Sequence, residues 1–206
     1  MAEADLERWR LVVQAVAALG GLSALATLVW TVRRNRRPSL GLTLFSSTGE
    51  RERWGDPYTG DWTYFYHVKV KNRRNVPARS VGVRLTKVNK ARRDEPLADE
   101  ELPAPVRLTW ARREREPDPS SLDIAEGGTA SCNLGYMIGT EGYFKLNVAL
   151  EPVPPRFVLL ERERMRVEAV AENAPSNRLV VEISWDGVWS DEPGEMAKHL
   201  LVAARR

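Results

Sequence analysis

The sequence predicts an all-β protein, an antiparallel β-sandwich of about eight or nine short strands, preceded by one N-terminal transmembrane helix. Three observations carry this expectation. An uncharged run of 22 residues, Leu11 to Val32, stands ahead of the basic cluster RRNRR. After Pro38 the hydrophobic period changes from helical to two, the period of strands with one buried face. No segment of crossover-helix length then interrupts the alternation, which argues against a doubly wound fold. The expected layout is a tail over residues 1–10, a membrane helix over 11–32, a basic linker over 33–38 and a sandwich domain over 39–206.

Within LVVQAVAALGGLSALATLVWTV the polar members are Gln14, Ser23, Thr27 and Thr31. A helix from Trp9 to Trp30 rises about 32 Å, close to the hydrocarbon thickness of a bilayer, and would set one indole at each interface. A buried helix of a water-soluble domain would ordinarily carry a polar stripe, and this run has none. A cleaved signal peptide competes, because Ala24-Leu25-Ala26 has the small-residue pattern of a cleavage site. Against it stand the net acidic N-terminal region and the continuation of the apolar run through Trp30 and Val32.

Orientation follows from the arginines. Arg8 and Arg10 precede the span, whereas Arg33, Arg34, Arg36 and Arg37 follow it, so the domain is expected in the cytoplasm and the N-terminus outside. Ala17 with Gly21, and Gly20 with Ala24, recur four apart, a spacing that permits close helix approach and a weak homodimer in lipid.

The net charge of +3 suggests a nucleic-acid binder until it is divided by segment. Once the charges of residues 1–10 and the four arginines of 33–37 are set aside, basic and acidic residues are equal in number over 38–206. A neutral domain lacks the overall basic footprint of a phosphate-backbone binder, so no nucleic-acid partner is expected.

Alternation over Leu40 to Leu44 predicts the first strand, and STGERERWGDPYTGD after it reads as a long loop. Trp62, Tyr64, Tyr66, Val68 and Val70 alternate with Thr63, Phe65, His67, Lys69 and Lys71 in the second. Further strands are expected around Val81 to Leu85, Val106 to Trp110, Ile124, Thr129 to Met137 beyond the turn Glu126-Gly127-Gly128, and Tyr143 to Leu150. A final pair, Met165 to Ala171 and Leu179 to Trp185, is joined by Glu172 to Asn177. The end, DEPGEMAKHLLVAARR, fits either a helix opened by Pro193 or an edge strand over His199 to Ala203. The expected core takes Trp62, Tyr64, Val68, Val70, Val81, Val83, Leu85, Leu108, Trp110, Val167, Leu179, Val181, Ile183 and Trp185.

The run VKVKNRRNVPARSVGVRL, Val68 to Leu85, resembles adjacent strands of immunoglobulin-like β-sandwich modules in bacterial membrane and surface proteins. There a strand ends in Asn, a short loop follows, and a small residue opens the next strand. LDIAEGGTASCNL, Leu122 to Leu134, resembles the acidic-Gly hairpin of such modules. The Cys, Trp and Cys spacing of antibody domains is absent. The resemblance implies a recognition or spacer module and transfers no catalytic residue.

No P-loop, GxGxxG, GxSxG, HExxH or paired CxxC occurs, and no cofactor is expected. Two histidines and Cys132 are too few for an ordinary structural zinc site. His67 and His199 read as half-buried side chains, and Cys132 as a small buried hydrophobe. Asp94, Glu95, Asp99, Glu100 and Glu101 read as a solvated loop. So do Asp186, Asp191, Glu192 and Glu195, because neither run has calcium-loop spacing. Asp186-Gly187 reads as a tight turn between Trp185 and Trp189, whose indoles pack on the core or its rim or form an exposed platform.

Arg112, Arg113 and Arg115 interleave with Glu114 and Glu116; Arg162, Arg164 and Arg166 interleave with Glu161 and Glu163. On a strand, like charges two apart share a face, giving either a solvated edge or a docking stripe for an acidic partner. The candidate partner-binding residues are Arg162, Arg164, Arg166 and Trp189. The expected function is a membrane-tethered, non-enzymatic interaction or scaffolding module facing the cytoplasm. Two alternatives stand: an envelope-facing glycan binder using Trp54, Trp185 or Trp189, and a carboxylate-only enzyme.

Overall fold

The computed structural model describes residues 24–32, 37–55, 60–97, 101–111, 121–150 and 152–205, in two compact units divided after Arg37. In the first unit residues 24–32 are helical, and Leu25, Leu28, Val29, Trp30 and Val32 are exposed. Among the described residues no helix is long and apolar enough to cross a membrane. The predicted span lies mostly outside them, as do Trp9, Ala17, Gly20, Gly21, Arg33, Arg34 and Arg36.

The second unit is all-β and antiparallel, an arrangement that fits a β-sandwich. One sheet runs β1 (Leu40–Leu44), β3 (Asp61–Asn72), β8 (Thr129–Ile138), β9 (Phe144–Leu146), β10 (Val158–Leu159), with β2 (Glu50–Trp54) also paired to β3. The other runs β13 (Leu200–Arg205), β12 (Leu179–Trp185), β11 (Glu163–Ala171), β5 (Val83–Arg92), β6 (Glu101–Arg107); β4 (Ala78–Val81) and β7 (Leu122–Ile124) pair separately. Helix α1 (Pro193–His199) leads into β13.

Alternation places the core. Tyr64, Tyr66, Val68 and Val70 of β3 point inward with Leu134 and Met137 of β8, and Met165, Val167, Leu179, Val181 and Ile183 face them from the other sheet in one cluster. Each buried Val or Leu contributes roughly 1.5–3 kcal/mol relative to exposure. Every residue expected in the core is buried except Trp62, which is half-buried beneath the guanidinium groups of Arg51 and Arg53, 3.6 and 4.3 Å from its ring.

The strand count exceeds the expectation, because β2 and β10 show too few apolar residues for a period to register and the strand expected over Val81 to Leu85 is divided between β4 and β5. The expected loop after Leu44 contains β2, whose sequence ERERW carries no apolar alternation. It is a strand because its backbone pairs with residues 61–65 of β3 along the same edge that β1 uses higher up. Glu101 opens β6 instead of extending a loop. The C-terminal alternatives both occur in succession: Pro193 opens the helix and Leu200 begins the edge strand.

Two asparagines close the ends of strands. Asn72, fully buried at the end of β3, donates from its amide to the carbonyls of Val76 at 2.7 Å, Ala125 at 3.2 Å and Ile124 at 3.4 Å, and accepts from the Arg74 N–H at 3.2 Å. It thereby ties the β3–β4 loop to the hairpin that the resemblance singles out. Asn177 replaces a strand on the open edge of β1, accepting from the Leu42 N–H at 2.6 Å and donating to the Leu42 carbonyl at 3.0 Å, beside the Leu40 N–H bond to Pro175. That edge cannot template another chain.

Candidate functional site

The outer face of the six-stranded sheet carries a row of aromatic side chains. Because Tyr64 and Tyr66 point inward, Phe65 and His67 of β3 point outward, and register sets Phe65 beside Tyr136 of β8 and Glu50 of β2. Trp54, at the end of β2, stacks on Tyr136 at 5.1 Å and 15° and on Phe65 at 5.8 Å and 25°. His67 lies parallel to Phe65 at 6.5 Å, and Phe45 meets His67 edge-on at 6.5 Å. Such pairs contribute about 0.5–1.5 kcal/mol each beyond area burial. Phe45 and Trp54 are each 48% exposed, unusual for large aromatics on a face with a full core behind it.

Polar groups border the row. His67 Nε2 lies 3.2 Å from a Glu50 carboxylate oxygen, while its Nδ1 has no hydrogen-bond partner among the described residues. The Lys145 ammonium sits 5.9 Å over Tyr136 and that of Lys69 5.9 Å over Phe45. Large apolar rings, flanked by donors and acceptors, suit recognition of a partner surface.

The opposite face, on the five-stranded sheet, is charged. Arg166 of β11 donates to Glu182 Oε1 of β12 from Nε at 3.0 Å and from its terminal nitrogen at 2.6 Å, and Arg205 of β13 donates to Glu182 Oε2 at 2.7 Å. Burial raises the Glu182 pKa, but the bonds and charges of Arg166 and Arg205 outweigh it and hold the carboxyl below its ordinary range. Arg178 pairs with Glu168 at 3.6 Å, and the hydroxyl of Thr86 donates to the same carboxylate at 2.9 Å. Lys87, Asn89, Arg166, Glu168, Val180, Glu182 and Arg205 line a shallow depression of about 420 Å³ there.

The structure does not gather the predicted basic stripe into one surface. Arg164 and Arg166 share the outer face of β11, but Arg164 donates to the Glu95 carbonyl, and Arg166 is bound to Glu182. Arg162 precedes the strand at φ 58° with its side chain 80% exposed, 3.4 Å from Glu161. The second mixed run, Arg112 to Glu116, lies outside the described residues. Trp189 is on the rim, edge-on to Tyr64 at 5.3 Å with its indole N–H donated to Asp191 at 3.2 Å, and Trp185 is buried.

A third grouping joins Asp186 to His199, whose Nδ1 lies 2.9 Å from Asp186 Oδ2. Burial raises the Asp186 pKa, yet His199, the Val188 N–H and the nearby Arg93 charge hold it below the ordinary range. The pair closes the turn at Gly187, where φ is 98°. Cys132 is buried and in no disulfide. Among the described residues no cluster of His, Cys, Asp and Glu suits a metal ion.

Sequence reasoning did not assemble Phe45, Phe65, His67, Trp54 and Tyr136 into one row. The signal was the run WTYFYH, which places aromatics on both sides of one strand and therefore leaves half of them outside the core. No family model, curated protein or solved structure matches this chain.

Proposed function

We propose that the chain is a single-pass, membrane-tethered, non-enzymatic module of immunoglobulin-like type, facing the cytoplasm, that docks a protein partner. The observation that carries the reading is the aromatic row, Trp54, Tyr136, Phe65, His67 and Phe45, standing on a sheet whose inner face is already packed. Exposed rings concentrated on one face are the residue types that dominate binding energy at interfaces. The tether is supported by the uncharged run before RRNRR and by the exposed apolar side chains of residues 24–32. Tethering raises the effective concentration of weak contacts, so a modest surface suffices.

The non-enzymatic part rests on the engagement of three carboxylates in ion pairs: Glu182 with Arg166 and Arg205, Asp186 with His199, and Glu195 with Lys198. A second reading, an envelope-facing glycan binder, is favoured by Trp54 alone, since Trp185 is buried and Trp189 is folded against Tyr64.

A photo-crosslinker at Glu52 in native membranes tests the proposal, with Trp54→Ala and Phe65→Ala as variants. A protein adduct that both variants abolish is expected. An adduct that survives both but is lost on replacing Arg162, Arg164 and Arg166 moves docking to the other sheet. Retention by immobilised glycans without any protein adduct supports the second reading.

A further inference from the structure

We propose that the end of the six-stranded sheet carrying Lys69, Lys71, Arg73 and Phe45 rests on the anionic headgroup surface of the membrane. This inference rests on the tethered reading of the chain. Lys69 and Lys71 point outward from the last turns of the β3 alternation, where their register partners are Thr43 and Gly41 on β1 and Ser131 and Thr129 on β8. Each of these four register partners is uncharged.

Arg73 continues the patch. Gly41 has no Cβ, and the guanidinium of Arg73 lies across that position, so the third cation is laid along the same face as Lys71. Among the described residues none of Lys69, Lys71 and Arg73 is within salt-bridge distance of an acid. By contrast, Arg84 and Arg107 are held by Glu172, and Arg166 and Arg205 by Glu182. These three cations therefore stand together without an acidic partner among the described residues, on a domain whose basic and acidic residues are equal in number.

The chemistry fits a lipid surface. Phe45 is half exposed next to Lys69, and an aromatic ring beside ammonium groups is the pairing found where side chains meet headgroups. The patch also lies beside β1, the first strand of the domain, with which Lys69 and Lys71 are in register: Leu40, the start of β1, follows Val32, the end of the apolar run, by eight residues in sequence. Lys71 stands six residues along β3 from Phe65, about 20 Å at strand rise, so contact here takes Phe45 from the end of the row and leaves Phe65, Tyr136 and Trp54 open to a partner.

The test reconstitutes the full chain in vesicles of phosphatidylcholine alone and of phosphatidylcholine with phosphatidylglycerol, and follows amide hydrogen exchange over residues 40–45 and 68–73. Protection is expected with phosphatidylglycerol only. It should fall roughly 5-fold for each cation replaced in Lys69→Gln, Lys71→Gln and Arg73→Gln, and should fade in high salt. Unchanged circular dichroism of the variants keeps the comparison one of surface charge. Equal exchange in both vesicles, in a chain that resists carbonate extraction, overturns the inference and leaves the tether intact. Release by carbonate instead overturns the tether. Protection by a single-stranded oligonucleotide but not by anionic vesicles overturns the inference in favour of nucleic acid.

Discussion

Replacing Asn72 offers a quantitative test of how the fold is closed. Its side chain is fully buried and its amide serves three carbonyls, with the shortest contact 2.7 Å to Val76, while its oxygen receives the Arg74 N–H. In Asn72→Ala these bonds are lost, although the Ala125 carbonyl still accepts from the Gly128 N–H at 3.0 Å. Each net hydrogen bond contributes about 1 kcal/mol, and a buried carbonyl left unpaired costs about 1–3 kcal/mol, so a loss of roughly 2–4 kcal/mol is expected. For a domain of this size that lowers Tm by roughly 4–16 °C. Asn72→Asp should be worse at neutral pH, because a carboxylate would face carbonyl oxygens in place of a donor. Asn173→Gly is the control: that amide reaches the Ser80 carbonyl from an exposed loop, glycine adopts the φ of 61° there without strain, and the change should cost well under half as much. Thermal and urea unfolding of the full chain in detergent measures all three. An Asn72→Asp protein as stable as the parent would refute the reasoning.

Other expectations follow from the same structure. Val181→Asp places a carboxylate in the core and should destabilise by about 4 kcal/mol or more; little change in melting temperature contradicts the packing. Tyr66 is fully buried, its hydroxyl has no partner among the described residues, and burial, with Tyr64 adding, pushes its phenol pKa far above the ordinary range. Tyr66→Phe should therefore be neutral or stabilise by about 1 kcal/mol in urea titrations. Asp186 has a lowered pKa in the folded protein, so its stabilising contribution is fully present above its unfolded value near 4 and disappears as pH falls through the folded value. Stability should drop less steeply with acid in Asp186→Asn; an unchanged slope contradicts this.

The long elements were legible because each buries one face against the core and turns the other to water. Leu179 to Trp185 matches β12 at both ends, and Trp62 to Val70 lies within β3. β2 was not legible, since a charged edge strand is held by backbone pairing to β3 and leaves no hydrophobic period in ERERW. The aromatic row escaped notice for a related reason. Periodicity identifies which residues share a face, but Phe65 and Tyr136 become neighbours only through the register of β3 on β8, and Trp54 joins them from a strand that read as loop. The charges of β11 were correctly seen to alternate. Glu182 becomes the partner of Arg166 only through the register of β11 on β12, and Glu95 reaches Arg164 from a segment distant in sequence, so their neutralisation was invisible.

The proposed side of the membrane is open to one direct measurement. Protease is added to intact cells and then to the same cells after lysis, and the fate of residues 38–206 is followed by immunoblot. A cytoplasmic module survives the first treatment and is digested in the second. Digestion of the domain in intact cells contradicts the account and turns attention to envelope ligands of Trp54.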